Sequence, residues 1–89
     1  MAQNSNFPKN EWIVGRDPDC DLIVAEPPVS GRHCKLTRQG DHYTIEDLGS
    51  KNGTFVNGMK LMPGQPAPLP RGATVTLGAQ VRMPMPPEG

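Results

Sequence analysis

Eighty-nine residues make room for one compact unit around one modest core. Nine basic and nine acidic side chains balance to zero formal net charge, which excludes the basic field that non-specific nucleic-acid or anionic-membrane binding requires. No run approaches the roughly eighteen apolar residues of a membrane span, and residues 1–6 carry neither the basic nor the apolar region of a secretory leader, so the expected location is cytoplasmic.

Ten glycines and eleven prolines punctuate the chain without repeating, which predicts many short turns between strands. Residues 2–10 hold one large apolar residue, Phe7, and residues 1–10 are expected to form an N-terminal extension or a rudimentary first strand. The domain proper is expected over 11–83. Trp12-Ile13-Val14 is short, apolar and β-branched, and stops at Gly15-Arg16 as a buried strand feeding a loop would. Leu22-Ile23-Val24 repeats the pattern before the breaker Pro27-Pro28. From His33 to Arg38 the residues alternate, with Cys34 and Leu36 on one face and His33, Lys35 and Thr37 on the other. Alternation resumes after Gln39-Gly40-Asp41 with Tyr43 and Ile45 apolar, which makes a hairpin.

Thr54-Phe55-Val56 and Met59-Lys60-Leu61 flank Asn57-Gly58, a strong hairpin signal because both positions of a type I′ turn require positive φ. Pro63, Pro66, Pro68 and Pro70 forbid a central strand, so a loop is expected there. Ala73 to Leu77 reads as the next strand and Ala79 to Met83 as a last short one. Residues 84–89 read as a proline-rich tail or the start of a linker. No stretch sustains helical periodicity. The predicted fold is all-β: a sandwich of two antiparallel twisted sheets, with no substantial helix and with function on the loops. Cys20 and Cys34 show no secreted-framework spacing and read as reduced, packed thiols.

The informative residues fall in strand connections. Arg16 offers a planar fork suited to phosphate oxygens, Ser30 a directional hydroxyl, and Lys51 a mobile positive charge. The amide of Asn52 presents both donor and acceptor, the pair needed to hold the main chain of an extended peptide. If the loops converge, they build a phosphate cradle beside a peptide clamp.

Gly15-Arg16, the Ser-x-x-His of Ser30 to His33, and the Ser-x-Asn-Gly-Thr-x-x-Asn-Gly of Ser50 to Gly58 occur in this order. Together they resemble the forkhead-associated (FHA) domain family over approximately Glu11 to Gly78. The resemblance implies an FHA/SMAD-like β-sandwich that binds phosphothreonine-containing proteins through loops at one end, without catalysis and without a cofactor. Carried over by position, Arg16 and Ser30 would contact the phosphate, with Lys51 assisting. Asn52 would bond the peptide main chain, and Gly31 and Arg32 occupy positions that touch ligand in some members. Gly15, His33, Ser50, Gly53, Asn57 and Gly58 are implied to support the site structurally. Two features depart from the pattern: Gly31 stands where many members carry Arg or Asn, and residues 1–10 are short for the family's first strand.

Other chemistries fit less well. His33 and Cys34 are expected on opposite faces of one strand, so they cannot pair as base and nucleophile. His42 sits at a hairpin tip. Gly49 to Thr54 lacks the Gly-Lys-Ser/Thr ending and following helix of a nucleotide phosphate loop, and two cysteines with two histidines at these spacings make no metal site. Asn52-Gly53-Thr54 matches a glycosylation sequon that has no consequence without secretion. One Trp, one Tyr and two Phe are too few for a base-stacking surface. The alternative to phosphopeptide binding is a phosphate-independent scaffold that docks through a sandwich face or an unpaired edge.

Overall fold

The computed structural model describes residues 10–84. The short apolar runs form strands wherever turn residues leave them long enough to pair. These are β1 (Glu11–Gly15), β2 (Leu22–Ile23), β3 (Cys34–Gln39), β4 (His42–Asp47), β5 (Thr54–Val56), β6 (Met59–Lys60), β7 (Ala67–Leu69), β8 (Val75–Leu77) and β9 (Val81–Arg82). Five strands make one sheet in the order β2-β1-β3-β4-β7, and four make the other in the order β6-β5-β8-β9. No helix forms among the described residues, and the architecture is the expected all-β sandwich.

Alternation sets which side chains enter the core. In β3, Cys34 and Leu36 are fully buried while Lys35 and Thr37, alternating with them, stay partly exposed. From the neighbouring strands Val14 and Ile45 join them, and the second sheet contributes Val75 and Leu77 to the same cluster. The β5–β6 turn is made as the sequence predicts: Asn57 has φ 50 and Gly58 φ 84, between the paired residues Val56 and Met59. Both residues of a type I′ turn must take positive φ, which Asn and Gly do at least cost.

Three expectations are corrected. The sheets are not antiparallel throughout, because β1 and β2 pair in parallel with Val14 opposite Leu22. The intervening loop folds back onto β1: the Asp21 amide donates to the Ile13 carbonyl at 2.9 Å, and the Asp21 carboxylate accepts from the Ile13 amide at 2.8 Å. The chain therefore re-enters the sheet in its original direction. Second, the proline-rich stretch is not all loop, since β7 carries Pro68 opposite Thr44 of β4. An edge strand needs ladder donors on one side only, so it tolerates the missing amide. Third, His33 precedes β3 rather than lying on its polar face, and it is wholly buried.

Of the expected N-terminal extension or first strand, residues 1–9 lie outside the described residues. Asn10 continues the β1 ladder by accepting the Arg38 amide at 2.7 Å. Of the expected tail, residues 85–89 also lie outside them. Antiparallel pairing brings Gly15 at the end of β1, Cys34 at the start of β3 and Asp47 at the end of β4 to one end of the sandwich. In the other sheet, Thr54 at the start of β5 pairs with Leu77 at the end of β8. The buried Thr54 hydroxyl donates to Asp47 at 2.7 Å, which joins the two sheets at that same end. The loops 16–21, 24–33, 48–53 and 78–80 thus cluster together.

Candidate functional site

The first two loops are fastened along their backbones. The Arg16 amide donates to the Ser30 carbonyl at 3.0 Å, and the Asp17 amide to the Gly31 carbonyl at 3.1 Å. Such close approach requires Gly15, because a Cβ there would lie 2.1 Å from the Gly31 carbonyl oxygen. The Gly31 carbonyl also receives the buried thiol of Cys20 at 3.1 Å. Burial pushes that thiol's pKa up, which keeps it a protonated donor.

The third loop joins through Ser30, whose Oγ accepts the Lys51 amide at 3.0 Å. Arg16, Ser30 and Lys51, expected from sequence to share a phosphate, are therefore adjacent on loops tied to one another. Arg16 and Lys51 are both exposed, and neither side chain enters an ion pair among the described residues. Ser30 spends an oxygen lone pair on Lys51, which leaves its hydroxyl hydrogen for a further acceptor.

Asn52 uses one amide hydrogen on the Pro28 carbonyl at 2.7 Å, and its exposed side chain retains an oxygen acceptor and a second hydrogen. The Gly78 turn closes over this pair: a Cβ on Gly78 would stand 3.3 Å from Pro28 Cβ and 3.4 Å from Asn52 Cβ. Arg32 is turned toward the first loop by an exposed ion pair with Asp19 at 3.3 Å. Asn57 and Gly58 lie at the other end of β5, where the Asn57 carboxamide accepts the Thr74 amide at 3.0 Å. They brace the hairpin and reach the site only through β5.

His33 is the pin between loops. Its Nδ1 accepts the Ser30 amide at 3.1 Å, so the ring hydrogen resides on Nε2 and donates to the Gly53 carbonyl at 2.8 Å. The same carbonyl receives the Gly78 amide at 2.7 Å. One ring thereby fixes the Ser30 loop, the Asn52 loop and the final turn.

Asp47 is the residue that the sequence reading passed over. It is 1% exposed, yet its carboxylate accepts the Gly49 and Ser50 amides at 3.0 Å each, as well as the hydroxyls of Ser50 and Thr54. Burial alone would raise its pKa, but the donors, Ser50 and Thr54 foremost, outweigh burial and hold the carboxyl below its ordinary value. Ser50 Oγ in turn accepts the Gly53 amide at 3.0 Å. The legible signal was an Asp two and three residues before Gly49 and Ser50, the pattern of a side chain that organises its own turn.

The fold and site together define a β-sandwich interaction module, with its exposed polar groups gathered on loops at one end. Residues 12–78 match the sequence model of the FHA domain, and the chain belongs to that family. It is 35% identical over 69 residues to the FHA domain-containing protein FhaB of Mycolicibacterium smegmatis, covering 78% of this chain and 43% of that protein. Among solved structures, the FHA domain of CT664 from Chlamydia trachomatis superposes with a TM-score of 0.71 at 37% identity, over 76% of this chain and 67% of that one. The N-terminal FHA domain of S. cerevisiae Rad53p, solved with a phosphothreonine peptide, gives 0.70 at 30% identity, over 80% and 58%. The chain spans less than half the length of curated relatives it matches, including 31% of an oxoglutarate dehydrogenase inhibitor from Corynebacterium jeikeium and 43% of FhaB.

Proposed function

We propose that this domain binds phosphothreonine-containing segments of partner proteins and is switched by their phosphorylation. The observation that carries the proposal is the convergence of Arg16, Ser30 and Lys51 on loops joined by the Lys51 amide to Ser30 Oγ bond, beside the half-used amide of Asn52. Arg16 and Lys51 supply charge, and the Ser30 hydroxyl supplies a directional donor. An unmodified threonine cannot use them, whereas a phosphate brings up to two negative charges and three strong acceptors. Each hydrogen bond to a charged group contributes about 1.5–3 kcal/mol. Asn52 holds the peptide main chain next to the phosphothreonine, and Gly31 and Arg32 border the bound segment.

Binding without catalysis is part of the same proposal. Both ring nitrogens of His33 are occupied by backbone groups, and burial, then the charge of Asp47, pushes the Cys34 thiol up to about 12. Neither is available as base or nucleophile. The test is calorimetric titration with a degenerate phosphothreonine peptide library and its unphosphorylated twin, using Arg16→Ala as control. Micromolar binding, about −8 kcal/mol, should vanish without the phosphate or without Arg16. Equal binding of both libraries, or unchanged binding by folded Arg16→Ala, overturns the proposal.

A further inference from the structure

The space left by Gly31 is filled by a carboxylate. A Cβ on Gly31 would meet Asp17 Oδ1 at 2.9 Å and Asp17 Cγ and Oδ2 at 3.1 Å, so the Asp17 head group stands where a side chain at position 31 would begin. Asp17 is held there by its backbone. Its amide donates to the Gly31 carbonyl, and its own carbonyl accepts the Cys20 amide at 3.1 Å. The following Pro18 restricts its conformation further. Its side chain is exposed, and among the described residues it enters no ion pair, whereas the nearby Asp19 is neutralised by Arg32.

From this geometry we infer that Asp17 is a specificity-determining residue that favours phosphothreonine segments flanked by Lys or Arg. The inference rests on the phosphothreonine reading of the site and adds a class of ligand to it. Arg16 and Lys51, left alone, would draw acidic flanks as readily as the phosphate itself. An exposed carboxylate one residue from Arg16, without an ion pair among the described residues, opposes that bias. It repels glutamate and attracts an ammonium or guanidinium group that passes Gly31. Because the two backbone hydrogen bonds hold the Asp17 backbone against Gly31 in the free domain, the carboxylate stands beside the ligand path before any peptide binds. The bound phosphate satisfies the cations, and Asp17 remains the charge that reads the neighbouring side chains.

The experiment titrates two phosphothreonine peptides, identical except that the flanking residues are all lysine or all glutamate, into the wild-type domain, Asp17→Asn and Asp17→Lys. The wild type should prefer the lysine peptide by about threefold, a range that an exposed ion pair supplies, and the preference should shrink as salt rises. Asp17→Asn should abolish the preference, and Asp17→Lys should invert it. Both variants should keep the phosphate dependence and the unfolding midpoint of the wild type. The same lysine-to-glutamate ratio in all three proteins, or a wild-type preference for glutamate, overturns the role of Asp17 and leaves phosphothreonine binding standing. Failure of the wild type to bind either peptide overturns both.

Discussion

The Nε2 of His33 lies 2.8 Å from the carbonyl oxygen of Gly53, twenty residues further along the chain. With Nδ1 accepting the Ser30 amide, a smaller side chain at this position would orphan a part-buried donor. His33→Ala should therefore destabilise the domain by on the order of 3 kcal/mol, from the unpaired Ser30 amide and a ring-sized cavity together. Chemical denaturation reads this directly. Phosphopeptide affinity, corrected for folded fraction, should fall as well, because Ser30 and Asn52 lose their common anchor.

Asp47 ties the other side of the site to acid pH. Its folded pKa is lowered below the ordinary 3.8, so the carboxylate's contribution to stability is complete above that pH. It is lost as pH falls below 3.8 and through the folded value. Asp47→Asn, which turns an acceptor into a donor facing other donors, should cost about 2 kcal/mol at neutral pH. It should also flatten the acid limb of a stability-against-pH curve measured by urea unfolding. An unaltered acid limb would assign that limb to other carboxylates.

Gly15→Ala should be far more damaging than an added methyl elsewhere. The new Cβ would sit 2.1 Å from the Gly31 carbonyl oxygen and 2.9 Å from that of Ser30, both backbone atoms of the 24–33 loop. Overpacking of this kind costs about 1–3 kcal/mol, and the loop must move to relieve it. The expected result is a weaker phosphopeptide isotherm in a domain that still shows the β-sandwich circular dichroism spectrum. An isotherm equal to wild type would show that the first two loops separate at no cost to binding.

Cys34 should be inert in the folded protein. Its Sγ is fully buried, 3.8 Å from the sulfur of Met83, and burial with the charge of Asp47 pushes the thiol up to about 12. Alkylation followed by mass spectrometry should leave Cys34 unmodified until denaturant is added, while the slightly exposed Cys20 reacts slowly. The raised folded pKa makes its contribution to stability full below the ordinary 9.0. That contribution is lost as pH rises toward about 12.

Much of the strand pattern was legible because it depends on neighbours in sequence. The alternation of Cys34, Leu36 and Ile45 and the turn at Asn57-Gly58 follow from period-two burial and local φ preference, and both occur as read. The parallel entry of β2, the edge strand through Pro68 and the burial of His33 were not legible. Each depends on a partner distant along the chain: Ile13 for Asp21, Thr44 for Pro68, Gly53 for His33.

The site divides in the same way. Arg16, Ser30, Lys51 and Asn52 were readable as donor-bearing loop residues because side-chain chemistry and turn position are properties of short segments. Asp47 was missed because an aspartate at a strand end is ordinarily a solvated charge. Only the approach of Thr54 from the other sheet turns it into a buried hub. Likewise, the sequence alone determined that Gly31 carries no side chain, while the tertiary structure decided that the carboxylate of Asp17 fills its place. Local preferences are short-ranged and can be read along the chain, but a backbone contact between two loops exists only once the core has drawn the strands that carry them together.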